Sequence, residues 1–198
     1  KTPLVVSFHG GLMTGWGQCI YTSWAYVADR EGFIVVFPNG HKNRFWGTER
    51  DPNRPFPKGM KIGGVPIPEV PDKVEDIYDV KFALELVKLM QKRYNIDEGR
   101  IYMQGMSNGD GMTSTIARNY GNILAGAAGS GGLATGGVLR YPDGRIKNRG
   151  GHLPYFISMP EHNGWVLDGP DRDETSTVLG LIDYWKEINV CNDLPEIK

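Results

Sequence analysis

Arg100-Ile101-Tyr102-Met103-Gln104-Gly105-Met106-Ser107-Asn108-Gly109 is the stretch on which the reading of this chain turns. Residues 100–104 read as a buried strand, and residues 108–120 as a helix ended by Gly121. Between them lies G-x-S-x-G, set where a strand must turn tightly into a helix. A turn of that kind holds its serine in a strained backbone conformation, and the flanking glycines let neighbouring backbone pass close. The new helix aims its free N–H groups at the serine and favours negative charge developing there. The Asn108 N–H is then one candidate oxyanion donor, a contact worth roughly 3–4 kcal/mol to a transition state. In a chain with 27 Gly the five-letter pattern alone is weak. The strand before it and the helix after it raise Ser107 above a residue that merely turns the chain.

Working outward, residues 4–8 (LVVSF) form a short apolar strand closed by His9-Gly10-Gly11. In a sheet of this kind that loop supplies a second oxyanion donor through a backbone N–H, and Gly11 is the expected one. His9 is expected to prop the loop rather than act as a base. Residues 33–37 (FIVVF) read as a fully buried strand stopped by Pro38-Asn39-Gly40. Residues 20–30 have helical spacing. Residues 41–72 carry no period and read as one long loop. A helix follows, with Asp72 and Glu75 spaced as in a capping box and an apolar stripe of Val74, Ile77, Val80, Leu84, Val87 and Met90. Strands at 124–128 and 153–159, a loop at 129–151 and a last helix at 174–189 complete the pattern. Alternating strands and helices predict an α/β fold with a mainly parallel sheet carrying helices on both faces. No repeat or linker divides it, so residues 1–198 read as one domain.

Composition narrows the function classes. Lys+Arg number 22 against 23 Asp+Glu, for a net charge of −1, so no clustered basic footprint for nucleic acid is indicated. No apolar run is long enough to span a bilayer. The two cysteines, Cys19 and Cys191, either pair or stay as thiols. Lys1-Thr2-Pro3 runs straight into the first core strand, which suggests further residues upstream.

The blocks PLVVSFHGG (3–11), IVVFPNG (34–40), VEDIYDVKF (74–82), RYNID (93–97) and RIYMQGMSNGDGM (100–112) resemble the α/β-hydrolase esterases of the polyhydroxybutyrate depolymerase and feruloyl/acetylxylan esterase group. A weaker match continues through PYFISMP (154–160) to YWKEINVC (184–191). The resemblance implies an α/β-hydrolase lacking its first strands and C-terminal segment. It also implies a serine hydrolase of carboxylic esters without metal or cofactor, in an extracellular or periplasmic setting. Feruloyl or acetyl esters on polysaccharide, or a hydroxyalkanoate polyester, are the implied substrates.

In that group a histidine takes the serine proton and an acid orients the histidine, in chain order serine, acid, histidine. Asn163 stands where the acid is expected, and an Asp-to-Asn change in a serine triad costs about 10⁴ in kcat. Glu161, Asp168 and Asp171 are substitutes. The histidine is expected beyond Cys191, where this chain has none; His9, His41, His152 and His162 all lie elsewhere. A missing segment or a second chain would then carry it. The alternative is a non-catalytic carbohydrate- or ligand-binding relic of the fold. Trp46 and Trp165 are expected to rim the catalytic face as substrate-stacking surfaces, whereas Trp24 and Trp185 fit core positions. Lys42, Arg44, Arg50 and Arg54 read as a solvated basic loop. For Asp110, in the first turn after Gly109, a helix-dipole role suffices.

Overall fold

The computed structural model describes residues 1–41, 44–132, 136–159 and 178–191. Five strands form one parallel sheet: β1 (Thr2–Phe8), β2 (Ile34–Val36), β5 (Ile96–Met106), β6 (Gly126–Ser130) and β7 (Tyr155–Ser158). Their order is β2-β1-β5-β6-β7, with Val6 opposite Met103 and Met106 opposite Ser130. The helices are α1 (Gly15–Tyr21), α2 (Trp24–Glu31), α3 (Tyr78–Arg93), α4 (Asn108–Tyr120), the short α5 (Gly136–Leu139) and α6 (Val178–Asn189).

Strand alternation decides which side each helix covers. Leu4, Val6 and Phe8 of β1 and Ile101 and Met103 of β5 face Val80 and Val87 of α3 and Met112 and Ile116 of α4 in one buried cluster. A second cluster joins Ala117 of α4 to Leu181, Tyr184 and Trp185 of α6, with Tyr155 and Ile157 of β7 against it. Helices α3, α4 and α6 therefore share one face of the sheet. On the other face Ser7 receives a hydrogen bond from Gln18 of α1, and Trp24 of α2 donates to Gln104 of β5. Beyond those two helices this face is open among the described residues. A groove of about 660 Å³ runs over Val5, Trp24, Phe33, Tyr102, Ala127 and Phe156, and Phe156 is 67% exposed. Helices therefore lie on both faces, as expected, with α1 and α2 covering one end of the second face among the described residues.

Several boundaries differ from the sequence reading. The strand at 34–36 is half-buried rather than fully buried, because among the described residues β2 is an edge strand paired with β1 alone. The helix expected at 20–30 is two helices: Thr22 is extended (φ −102°, ψ 152°) and its hydroxyl donates to the Gln18 carbonyl, ending α1. The capping box at Asp72 does not form. Val74–Asp76 is a 3₁₀ turn, Ile77 is extended, and α3 begins at Tyr78. The long loop contains a small antiparallel hairpin, β3 (Lys61–Ile62) with β4 (Val65–Pro66), turned by Gly63 and Gly64, both at positive φ. Cys19 and Cys191 are free thiols.

α4 is buried on nearly every side, and its polar residues are paired accordingly. The Arg118 side chain is 3% exposed, and its Nη1 donates to Glu49 Oε2 at 2.7 Å and to the Val138 carbonyl at 2.8 Å. This pair fastens the loop after β2 to the back of α4. Arg118→Met is expected to cost about 3 kcal/mol, because it strands the Glu49 carboxylate and a buried carbonyl. Thermal denaturation should show a Tm lowered by about 6–12 °C. Adding Glu49→Gln should return part of that loss; a single variant melting with the wild type would contradict the assignment.

Candidate active site

Ser107 sits between β5 and α4 at φ 53°, ψ −116°, a region that a residue with a Cβ adopts only under constraint. The constraint is visible on both sides. A Cβ on Gly105 would run into the Gly109 carbonyl, and one on Gly109 would strike the Phe8 and His9 carbonyls of the neighbouring strand. The Ser107 N–H donates to the Ser130 carbonyl at 2.8 Å, extending the β5–β6 ladder, and the Gly111 N–H returns to the Ser107 carbonyl at 3.1 Å, opening α4. The serine is thus held from the sheet and from the helix, with its side chain exposed at the C-terminal edge of the sheet.

Two backbone N–H groups beside it have no acceptor among the described residues: Asn108 and Gly11. The Asn108 side chain is engaged elsewhere. Its Oδ1 accepts the Trp46 N–H at 2.6 Å and its Nδ2 donates to the Trp46 carbonyl at 3.2 Å, so the amide clamps the loop and not the cleft. Gly11 lies in the loop after β1, where a Cβ would collide with the Phe45 ring. A Cβ at Gly10 would lie 3.1 Å from the Met106 side chain, which places this loop against the turn that carries Ser107.

His9 shapes that loop. Its Nδ1 donates to the Gly10 carbonyl at 2.8 Å and its Nε2 accepts the Gly40 N–H at 3.1 Å. Burial pushes its pKa below the ordinary value, so the ring is neutral, and both nitrogens are occupied. It props the loop and has no free nitrogen for a proton. His41 stacks on Tyr78 with ring centroids 4.3 Å apart, and His152 is exposed. The Ser107 hydroxyl has no hydrogen-bond partner among the described residues. Glu161, His162, Asn163, Trp165, Asp168, Asp171 and Lys42 lie outside them. β7 ends at Ser158, immediately upstream of most of that set.

Trp46 is not on the rim. It is fully buried, with its ring edge-on to Phe8 at 5.0 Å and its Nε1 donating to the His9 carbonyl at 2.9 Å. A loop aromatic next to Gly47 looks exposed in sequence, but here it fills the gap between β1 and α3. Trp16, in the first turn of α1, is by contrast 73% exposed. Arg50 lies over the Phe56 ring at 4.4 Å rather than in a free basic patch.

Asp110 does more than answer the helix dipole. It is 5% exposed, its Oδ1 accepts the Tyr155 hydroxyl at 2.9 Å and its Oδ2 accepts the Gly132 N–H at 2.9 Å. Burial raises its pKa to about 6, against the lowering effect of those two bonds.

No family model matches the chain. It is similar to the bifunctional acetylxylan esterase/xylanase of Neocallimastix patriciarum, 29% identical over 125 residues, covering 63% of this chain and 15% of that protein. It is similar to poly(3-hydroxyalkanoate) depolymerase C of Paucimonas lemoignei, 26% identical over 134 residues, covering 65% and 27%. It is also similar to feruloyl esterase B of Neurospora crassa, 29% identical over 135 residues, covering 66% and 39%. The chain spans less than half the length of each of these relatives. Among solved structures, the poly(3-hydroxybutyrate) depolymerase LpqC from Bordetella parapertussis superposes with a TM-score of 0.57 at 15% identity, over 96% of this chain and 68% of that one. The Bacillus cereus carboxylesterase gives 0.57 at 19% identity, over 95% and 75%. The fold is that of the α/β-hydrolases, as the superposing structures show, and the sequence relatives are acetylxylan esterases, a feruloyl esterase and a polyhydroxyalkanoate depolymerase.

Proposed function

We propose that this chain carries a serine esterase centre. The Ser107 Oγ attacks the carbonyl carbon of a carboxylic ester, and its proton passes to a histidine. The tetrahedral oxyanion is received by the N–H groups of Gly11 and Asn108. The alcohol leaves with the proton returned by that histidine, and water then releases the acid from the acyl-enzyme. The observation that carries this reading is the constrained, exposed Ser107 at φ 53° on a strand-to-helix turn, with two unengaged N–H groups beside it.

The base is a histidine from outside the described residues, oriented by Asn163 or by one of Glu161, Asp168 and Asp171. The uncovered apolar face over Val5, Tyr102 and Phe156 supports an additional segment or second chain packing on this domain and bringing that histidine. The relatives point to acetyl or feruloyl esters on polysaccharide, or a polyester of hydroxy acids, as substrate. Trp165 keeps its proposed role as a stacking surface; Trp46 does not.

The full native polypeptide is expected to release p-nitrophenol from p-nitrophenyl acetate with a burst of one equivalent per Ser107, followed by steady turnover. Acetylated xylan, methyl ferulate and hydroxybutyrate oligomers then rank the acyl classes. Release no faster than the buffer rate, from folded protein, would leave the ligand-binding relic as the reading.

A further inference from the structure

We propose that Asp110 is the positioning residue of the turn that presents Ser107: its ionised carboxylate is the joint that holds the start of α4, the exit of β6 and the start of β7 in one geometry. The proposal rests on the esterase reading and adds a residue that the reaction itself does not use.

The joint is built on three sides. From α4, Asp110 stands three residues after Ser107 in the helix's first turn. From the end of β6, the Gly132 N–H donates to Oδ2, while the adjoining Ser130 carbonyl holds the Ser107 N–H. From β7, the Tyr155 hydroxyl donates to Oδ1, and the Gly131 N–H donates to the Ser158 carbonyl at 2.9 Å. The carboxylate therefore ties the nucleophile's turn to the strand that leads directly toward residue 163. The surroundings are shaped for it. A Cβ on Gly129 or on Gly132 would collide with the Asp110 side chain, so only glycine leaves the niche. Tyr155 is fixed in turn by stacking on Trp185, with ring centroids 4.4 Å apart.

The charge is the unexpected part. An acid serving only the helix dipole gains its benefit at the surface. This one is buried, and no Lys or Arg pairs with it among the described residues. The groups facing the joint are the Tyr155 hydroxyl from β7 and, on α4 itself, Ser114 and Arg118. From β6 come only Gly129 and Ser130, and from α6 the ring of Trp185 packs on Tyr155. Arg118 is committed to Glu49 and to the Val138 carbonyl. A carboxylate accepts both hydrogen bonds as charge-assisted contacts, stronger than those of the neutral acid. Desolvation sets the opposing cost: the folded-state pKa of about 6 lies above the ordinary aspartate value of 3.8. The folded protein thus holds this proton more tightly than the unfolded chain. Stability from this group is full below the unfolded pKa and is lost as pH rises through about 6. At neutral pH the protein keeps a buried charge that weakens it, the pattern of a residue retained for a site.

Asp110→Asn keeps the shape and removes the charge: its Oδ1 still accepts from the Gly132 N–H, while the contact with Tyr155 reverses, Nδ2 donating to the hydroxyl. At pH 8 the variant is expected to melt about 5 °C or more above the wild type, the difference closing near pH 4. At the same pH its Ser107 is expected to react about tenfold more slowly with a fluorophosphonate and to show a kcat lowered by that factor at unchanged KM. Tyr155→Phe, which keeps the ring stack and removes one donor, should slow the same reaction without abolishing folding. Opposite movement of stability and reactivity supports the positioning role. An Asn variant that reacts at the wild-type rate, or whose rate and Tm fall together, overturns it. Wild-type protein that is not labelled at all would instead remove the esterase reading, and this proposal with it.

Discussion

Ser107→Ala is expected to lower kcat for ester hydrolysis by about 10⁶-fold while leaving Tm within a degree or two of the wild type. The first half follows from chemistry. With no oxygen at that position no acyl-enzyme forms, and what remains is the small catalysis that oxyanion donors and binding supply to water attack. The second half follows from the packing. The Ser107 hydroxyl has no hydrogen-bond partner among the described residues, so its removal strands no donor or acceptor. The backbone strain at φ 53° belongs to any residue with a Cβ, and alanine carries the same strain as serine. Initial rates on p-nitrophenyl acetate and a thermal melt of both proteins check the pair of statements. A variant retaining a tenth of the activity would mean that another nucleophile does the work.

Gly109→Ala is expected to be among the most damaging single methyls that can be added to this domain, as backbone closes on it from a neighbouring strand. The new Cβ would meet the carbonyl oxygens of Phe8 and His9. Those oxygens belong to β1 and its exit, and β1 is held between β2 and β5 in the sheet. Neither side gives way as a flexible side chain would. A loss of about 3 kcal/mol or more is expected, seen as a Tm lowered by about 6–12 °C, with Ser107 reactivity lost alongside. Gly144→Ala is the contrast. Gly144 has φ 84° and nothing within 4 Å of a Cβ, so it carries only a conformational cost of about 1 kcal/mol. Equal Tm values for the two variants would show that the close passage at Gly109 is not structural.

The strand–turn–helix around Ser107 was legible because local pattern and local geometry agree there. Apolar alternation in 100–104, glycines at 105 and 109 and a helix stop at Gly121 each point to the same turn. The loop-propping place of His9 was readable for a similar reason, as a ring residue at a strand exit. What escaped the sequence is tertiary. Burial of Trp46 depends on the space between β1 and α3, which no local window contains. The half-burial of the strand at 34–36 depends on its place at the edge of the sheet, not on its composition. The 61–66 hairpin has only two residues per strand, too short for an alternating pattern, and its one local signal is the Gly63-Gly64 turn. The side-chain roles of Asn108 and Asp110 arise from partners 62, 22 and 45 residues away. Among the described residues no histidine hydrogen-bonds the Ser107 hydroxyl, and His9 has both ring nitrogens engaged by its own loop.

The central claim is that Ser107 is an activated nucleophile. The most direct measurement is mass mapping of the full native polypeptide after treatment with a fluorophosphonate. The account predicts one adduct per chain, located on the peptide containing Ser107, absent from Ser107→Ala and suppressed when an ester substrate competes. An unmodified Ser107 in folded protein, or an adduct on a different residue, would contradict it.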